Sequence, residues 1–280
     1  MNALEIRNLS KHYKEFELNN INLTLPMGCI MGLVGENGAG KSTTIKLILN
    51  AIKKDSGTIR IFDKDNQEDF ELTKEDIGVV FDETGIAECL TAKQVGAIMK
   101  NIYKQWDTSV YETYLEKLKV PKSKKFKDFS KGMKMKLGIA IALSHHAKLL
   151  ILDEATSGLD PVVRDEVMDI FLEFTRDENH SILISSHIVS DLEKICDYIA
   201  FLHQGRLILC EEKDLLKEQY AIIHCTKEQL ASVSAEAVIG KRVSPYGIEA
   251  IVQRTQIPYG IEESPVDLEQ LFVFMVKGEL

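Results

Sequence analysis

A glycine-rich segment, Gly35-Glu36-Asn37-Gly38-Ala39-Gly40-Lys41-Ser42-Thr43, separates two apolar runs and narrows the folds open to this chain. The run 29–34 predicts a buried strand, and the run 44–49 predicts the first turns of a helix. Glycines at such a junction let successive backbone N–H groups curl around phosphate oxygens. We therefore predict a nucleotide-binding loop in which Lys41 reaches the β- and γ-phosphates and the Ser42 hydroxyl binds Mg²⁺. The predicted nucleotide-binding residues of this loop are Gly35, Asn37, Gly38, Gly40, Lys41, Ser42 and Thr43.

The composition is that of a globular protein of 280 residues, 45% hydrophobic and 28% charged. Its net charge of −9 argues against general binding to nucleic acids. The five cysteines lie far apart and the seven histidines lack ligand spacing, so we expect a reducing compartment and no metal site of their own. The N-terminal residues do not resemble a signal peptide. Because no apolar run approaches the ~20 residues of a membrane span, another chain would have to cross any membrane.

The order of the predicted elements indicates an α/β protein. Predicted strands cover 3–9, 16–25, 29–34, 58–62, 77–81, 148–153, 181–185, 198–202 and 206–210. Asn19-Asn20 is the predicted turn between the first two strands. Predicted helices cover 41–52, several segments of 92–146, a helix starting at Asp160-Pro161, and 189–197. This pattern predicts a P-loop NTPase core with a mostly parallel sheet, N-terminal antiparallel strands and a helical insertion.

The chain is expected to divide near residue 211. We predict an ATPase domain over 1–211, with a helical subdomain at about 86–146, and an accessory α+β region over 212–280. In the accessory region, 221–226 and 248–254 are predicted strands. Ser264-Pro265-Val266-Asp267 is predicted to be a capping box that opens a last helix.

A second motif, a pair of acids, follows the apolar run Leu149-Leu150-Ile151-Leu152. Asp153 and Glu154 end this predicted strand, at the sheet edge where ligands bind in open α/β folds. Asp153 is predicted to hold Mg²⁺, and Glu154 to polarise the water that attacks the γ-phosphate. His187, just after the strand at 181–185, would reach the same edge and touch the γ-phosphate or the attacking water. Lys41, Glu154 and His187 are therefore the predicted catalytic residues.

These motifs, in this order, resemble the ATP-binding subunits of ABC (ATP-binding-cassette) transporters over about residues 3–210. Between the loop and the acids stands Phe129-Ser130-Lys131-Gly132-Met133, which matches the family's Leu-Ser-Gly-Gly-Gln signature at Ser130 and Gly132 only. The resemblance implies two cassettes packed head to tail, with each ATP between the loop of one copy and Ser130 and Gly132 of the other. It also implies that Asp160 lies near the subunit junction and that Tyr13 stacks on adenine, with Phe16 as the alternative.

Two positions depart from the family pattern. Asp82 stands where the family has a glutamine that contacts Mg²⁺ and water, so it is a candidate metal ligand with altered reach, and Glu83 could substitute for it. Lys131 stands where the signature has glycine, and it would either attract the partner's ATP or point to solvent. The surrounding segment 117–136 holds nine lysines and one acid, Asp128. This segment would be either a solvated face or a contact with anionic lipids or acidic loops of a membrane partner.

The resemblance implies an ATP- and Mg²⁺-dependent ATPase subunit at the cytoplasmic face of the cell membrane. Its expected partners are a second ATPase subunit, as a homodimer or with a similar chain, and a polytopic transmembrane permease that contacts the cargo. No nucleic-acid partner is expected. Trp106-Asp107 before a helix, the degenerate signature and the C-terminal region resemble subunits that export peptides, antibiotics or lipids. The alternatives are an importer ATPase, a soluble ABC ATPase of translation or DNA maintenance, and an ATP sensor without turnover.

Overall fold

The computed structural model describes residues 1–82, 85–245 and 247–278, so Glu83 lies outside the described residues. The strands are β1 (Asn2–His12), β2 (Glu17–Pro26), β3 (Ile30–Val34), β4 (Ser56–Ile61), β5 (Lys64–Asp65), β6 (Ile77–Phe81), β7 (Leu149–Asp153), β8 (Ser181–Ser186), β9 (Tyr198–His203), β10 (Arg206–Glu212), β11 (Tyr220–Cys225), β12 (Val238–Ser244), β13 (Gly247–Gln253) and β14 (Glu263–Pro265).

The α-helices are α1 (Lys41–Ile48), α2 (Phe70–Thr73), α3 (Ala92–Ile102), α4 (Thr108–Lys117), α5 (Lys131–Leu143), α6 (Pro161–Phe174), α7 (Val189–Ile195), α8 (Lys213–Gln219), α9 (Lys227–Ala231) and α10 (Leu268–Lys277). Within the described ranges, none of them has the length and apolar character needed to span a bilayer.

The central sheet has the strand order β10-β9-β3-β8-β7-β6. All of its neighbours pair in parallel except β9 and β10, which form an antiparallel hairpin. Strands β3, β7 and β8 are buried along their whole length, as expected when both faces of a parallel sheet are covered. The predicted α/β class with a mostly parallel sheet is therefore confirmed.

Alternate side chains of the central sheet enter two different apolar cores. Ile30 and Leu150 belong to the core under the helices, whereas Met31 and Leu149 belong to the core shared with the N-terminal sheet. Period-two alternation thus fixes which layer covers which face. The result is a layered α/β arrangement in which the carboxyl ends of β3, β7 and β8 share one edge.

The N-terminal sheet has the order β2-β1-β4-β5 and is antiparallel, as predicted. The predicted turn at Asn19-Asn20 is wrong. The chain turns between β1 and β2, where the Tyr13 N–H donates to the Phe16 carbonyl. Asn20 lies inside β2 with φ of 52°, at a register shift, and its N–H donates to Ser10 Oγ. Asparagine tolerates this left-handed conformation, so the signal marked a strand irregularity rather than a turn.

Two predicted helix boundaries are wrong by three or more residues. Helix α1 ends at Ile48, not at 52, because the chain turns through Asn50, whose φ is 51°. The last helix does not start at a Ser264 cap, because Glu263–Pro265 forms β14 and pairs with β11. Its N-cap is Asp267, three residues later, with a capping box to Gln270.

The C-terminal residues form a third sheet, with the order β12-β13-β11-β14. This sheet carries a small apolar core of its own, which includes Ile223 and Val252. Its other side chains, Ile222 and Ile251 among them, join the main core together with α10. Helix α10 packs back on the central sheet, where the Phe272 and Phe201 rings lie 5.1 Å apart. The region after β10 is thus in contact with the nucleotide-binding core.

Helices α3 to α5 form a helical layer in which the contact between α3 and α4 depends on one glycine. Tyr111 of α4 is buried, and its hydroxyl donates to the Ala92 carbonyl of α3 at 2.8 Å. A Cβ on Gly96 would lie 2.4 Å from Tyr111 Cε1. The glycine is therefore needed for the close approach of α3 and α4 and is not a helix defect.

We expect Gly96→Ala to lower the free energy of unfolding by about 1–2 kcal/mol, because overpacking outweighs the better helix propensity of alanine. Chemical denaturation measures this change. The control Lys93→Ala, at an exposed position of α3, should change stability by less than about 0.5 kcal/mol. Stabilisation by Gly96→Ala would contradict the packing described here.

Candidate functional site

The glycine-rich loop runs from the end of β3 to the start of α1, as its sequence predicts. Gly38 and Gly40 have φ of 83° and 112°, which residues with a side chain rarely adopt. A Cβ on Gly35 would lie 2.5 Å from the Leu202 carbonyl oxygen of β9. Backbone conformation and close packing thus account for these glycines.

The loop opens into a cleft of about 550 Å³. The cleft is lined by Glu15, Phe16, Glu36, Asn37, Gly38, Gly40, Lys41, Ser42, Thr43 and Glu154. It therefore joins most of the predicted loop residues with one predicted catalytic acid. Helix α1 starts at Lys41, so its N-terminal N–H groups lie at this cleft, where an anion is favoured.

Lys41 is the central cation of the cleft, with only 5% of its surface exposed. Its Nζ donates to the Gly35 carbonyl at 2.7 Å and the Glu36 carbonyl at 3.3 Å. The same Nζ lies 3.2 Å from Glu154 Oε1. The ammonium is thus held by its own loop and by the acid that follows β7.

The predicted acids Asp153 and Glu154 are adjacent in the sequence, and the backbone turns sharply at Glu154. Asp153 is the last residue of β7, and its Oδ1 accepts a 2.6 Å hydrogen bond from Ser185 Oγ. Glu154 has φ of 54°, and its N–H donates to the same Ser185 Oγ at 3.1 Å. The left-handed backbone conformation is unfavourable for a glutamate, and residues in such strained conformations cluster at functional sites. Here the turn lets the Glu154 carboxylate face Lys41.

His187 completes this group. Its Nδ1 lies 2.7 Å from Glu154 Oε2, and its ring is half-exposed. Because an ionised carboxylate only accepts hydrogen bonds, Nδ1 carries the proton in this contact. The structure therefore brings together Lys41, Glu154 and His187, the three predicted catalytic residues.

Asp82 follows β6 at the same sheet edge, where Phe81 pairs with Asp153. Its carboxylate lies 2.6 Å from Lys131 Nζ. The structure thus joins the two positions that depart from the family pattern. The described ranges contain no cluster of three or more His, Cys, Asp or Glu side chains that could hold a metal.

The predicted residues Ser130, Gly132 and Asp160 lie at a second, smaller depression of about 280 Å³. Ser130 caps α5 by accepting the Met133 N–H at 3.3 Å, and Asp160 caps α6 by accepting the Val163 N–H at 3.1 Å. Its lining consists of Ser130, Lys131, Gly132, Met133, Lys136, Gly158, Leu159, Asp160 and Val163. As far as the described residues go, the two linings have no member in common. Within one copy, Ser130 and Gly132 thus line a different depression from the glycine-rich loop.

The two candidates for stacking on adenine, Tyr13 and Phe16, lie at different distances from the glycine-rich loop. Phe16 lines the cleft, and its Cζ would lie 2.9 Å from a Cβ on Gly40. Tyr13 is half-exposed, and its ring centroid lies 6.4 Å from that of Phe16. The geometry favours Phe16 as the ring nearer to the loop.

Two residues of the site were missed from the sequence. Ser185 joins Asp153 to the backbone of Glu154, but a serine within an apolar strand carries no distinctive pattern. Glu36 lies between His203 Nδ1 at 3.7 Å and Lys277 Nζ at 3.9 Å. The second contact comes from α10, far away in the sequence, and no local signal announces it.

Comparison with known proteins agrees with this geometry. Residues 18–157 match the ABC transporter family. The bacitracin transport ATP-binding protein BcrA of Enterococcus faecalis is 36% identical over 74% of this chain and 68% of its own length. The lantibiotic transport ATP-binding protein SrtF of Streptococcus pyogenes is 39% identical over 75% of this chain and 91% of its own length.

A similar solved structure is the ATP-binding subunit of an ABC transporter, with a TM-score of 0.70 and 28% identity. The similarity covers 78% of this chain and 92% of that one. The family match and these relatives confirm the predicted ATP-binding and ATPase assignment, and the P-loop cleft with Lys41, Glu154 and His187 agrees with it. The chain belongs to the ABC transporter family, as an ATP-binding subunit that hydrolyses ATP.

Proposed function

We propose that this chain drives the export of a peptide, antibiotic or lipid cargo through a separate polytopic permease at the cytoplasmic face of the cell membrane. The hydrolytic part rests on one observation, the contact chain from Lys41 through Glu154 to His187 beside the cleft. The export part is supported by the relatives named for bacitracin and lantibiotic transport.

Residues of the cleft divide the work of ATP hydrolysis. The N–H groups of the loop bind phosphate oxygens, and the Lys41 ammonium neutralises their charge. In the free chain Lys41 is paired with Glu154, so triphosphate binding competes for this ammonium and releases the carboxylate. Glu154 then takes a proton from the attacking water, while His187 holds its second oxygen and faces the γ-phosphate.

Mg²⁺ would be held by oxygen ligands of this chain together with ATP phosphates. The Ser42 hydroxyl, in the cleft lining, and the Asp153 carboxylate, at the end of β7, are the hard oxygen donors that Mg²⁺ prefers. Asp82 is a third candidate at the same edge. When bound, the ion would neutralise charge that develops on the β- and γ-phosphates.

The working unit is proposed to be a head-to-tail dimer, homomeric or formed with a similar chain. The placement of Ser130 and Gly132 in a different depression from the loop supports it, because a second copy packed head to tail would bring them to the same ATP. Asp160 lines the same depression and would lie at the junction. The N-terminus of α5 would then face the γ-phosphate, which favours an anion there.

Helix α3 is the proposed docking surface for the permease. Ile98 and Ile102, one turn apart, are 41% and 58% exposed. The lysine-rich segment 117–136 continues this helical layer, and the structure divides its cations into two groups. Lys117, Lys122, Lys131 and Lys136 pair with acids of this chain. In contrast, Lys124, Lys125 and Lys127 form no ion pair with any residue the structure describes. These three lysines would face an anionic surface at the membrane.

In this proposal 1–211 is the ATPase domain, 86–146 is its helical subdomain and 212–280 is the accessory region. The accessory sheet with its own small core supports the division. No nucleic-acid partner is proposed for this acidic chain.

We expect Glu154→Gln to lower ATP turnover by about 100-fold or more, because glutamine cannot accept the proton. ATP binding should persist, and a dimer should accumulate with ATP in light scattering. Phosphate release and nucleotide binding are measured on the purified chain. Full turnover in the variant would remove Glu154 from the role of general base, and absence of turnover in the unmodified protein would favour the sensor alternative.

Ser185→Ala should lower kcat about tenfold with little change in ATP affinity, because the Asp153 carboxylate and the Glu154 turn lose a shared anchor. The neighbouring Ser186 is the matched control, since its Oγ accepts the Ile188 N–H at 2.9 Å and serves a different turn. Steady-state kinetics of both alanine variants test this. Equal effects of the two would show that Ser185 has only a general role in β8.

Affinity purification from detergent-solubilised native membranes should recover a polytopic membrane protein in stoichiometric amount. The double variant Ile98→Asp/Ile102→Asp should lose this partner but keep ATP binding, because charges on an apolar contact are costly to bury. Leu172→Asp is the control, since Leu172 is 44% exposed on α6, outside the helical layer. Recovery only with ribosomes or DNA would favour the soluble alternative, and the recovered permease would decide between export and import.

A further inference from the structure

Asp82 and Lys131 are far apart in sequence, yet they form a direct ion pair. Lys131 Nζ lies 2.6 Å from Asp82 Oδ1. Asp82 follows β6 of the central sheet, and Lys131 is the first residue of α5 in the helical layer. The pair therefore connects two layers of the molecule and joins the two positions that depart from the family pattern.

The aliphatic part of the Lys131 side chain packs against Gly158, which belongs to a third segment of the chain. A Cβ on Gly158 would lie 3.2 Å from Lys131 Nζ and 3.3 Å from its Cδ. Gly158 has φ of 69° and belongs to the connection from β7 to α6. The Lys131 side chain thus lies across the segment that follows the catalytic acid Glu154.

Lys131 can exchange its Asp82 partner for an anion that binds it more strongly. The side chains of Lys131 and Asp82 are 45% and 43% exposed, and ion pairs in contact with water contribute little to stability. A triphosphate carries several negative charges and offers several acceptor oxygens. It would therefore compete well against one carboxylate for the same ammonium.

Lys131 also lines the second depression, beside Ser130, Gly132 and Asp160. The other lysine there, Lys136, is already paired with Glu166 at 2.6 Å. Lys131 is thus the cation of this depression whose partner is weakly held. In the proposed head-to-tail dimer, this depression faces the ATP bound to the loop of the other copy.

We propose that Lys131 is a phosphate ligand supplied to the opposite copy, and that Asp82 holds it in reserve until the dimer closes. Closure exchanges the Asp82 carboxylate for a phosphate oxygen of the other copy's ATP. The exchange frees Asp82 at the sheet edge that it shares with Asp153 of its own copy, where it is a candidate metal ligand. The two ATP sites are coupled, because each Lys131 leaves Asp82 of its own copy and binds the ATP phosphate of the other copy. This inference rests on the proposed dimer.

The test measures dimer formation rather than turnover. In full-length protein carrying Glu154→Gln, light scattering gives the ATP concentration for half-maximal dimerisation. ATP is supplied with EDTA, so that Asp82 acts without a metal. Lys131→Gln should raise this concentration about tenfold, because a charged phosphate contact is lost. Asp82→Asn should lower it about threefold or more, because Lys131 is then free from the start.

Lys134→Gln is the matched control. Lys134 lies one turn along α5 with its Nζ 4.9 Å from the centre of the Phe126 ring, and it is not among the residues that line the second depression. Lys134→Gln removes the same charge from the same helix, so the ATP concentration for half-maximal dimerisation should change less than twofold. An effect equal to that of Lys131→Gln would reduce the role of Lys131 to net charge and overturn the proposal.

Opposite signs for the two single variants are the signature of the exchange. If both variants weaken dimerisation, the pair is only a structural tie between the layers, and the proposal is wrong. If neither has an effect while the parent dimerises, Lys131 does not bind phosphate. If the parent dimerises neither with ATP and EDTA nor with ATP and Mg²⁺, the head-to-tail dimer fails, and this inference fails with it.

Discussion

The structure of the site depends on the buried Lys41 ammonium and the groups that surround it. Lys41 contacts carbonyls of the loop after β3 and the carboxylate of Glu154 after β7. These strands are not neighbours, because β8 lies between them. Ser185 of β8 fills this gap by bonding to both Asp153 and the Glu154 backbone. Three strand ends are thus connected by polar contacts at one edge, and a buried cation left without its acid would be costly.

This arrangement explains why so much of the site could be predicted from the sequence. Phosphate loops and buried strands depend on local properties, namely glycine conformation and continuous apolar runs. Parallel strands place their carboxyl ends at one edge, so the sequence alone predicts that Glu154 and His187 meet there. The contact at 2.7 Å between them is the outcome of that topology.

The parts that sequence reasoning missed depend on distant contacts or on ambiguous local signals. Asn20 looked like a turn because asparagine favours the left-handed region, yet that region also occurs at irregularities inside strands. Ser264 looked like a cap, but its segment pairs with β11 instead, and Asp267 takes the cap. The pairing of Asp82 with Lys131 could not be foreseen, because it requires knowing how α5 approaches β6.

The position of α10 has a practical consequence. The helix packs on the central sheet through Phe272 and Phe201, and its last residue, Lys277, comes within 3.9 Å of the Glu36 carboxylate. Glu36 belongs to the lining of the ATP cleft. A small environment-sensitive fluorophore attached at Lys277 would therefore stand at the rim of that cleft without replacing any group that holds phosphate. Such a label would turn the accessory region into an optical readout of nucleotide occupancy in the intact protein.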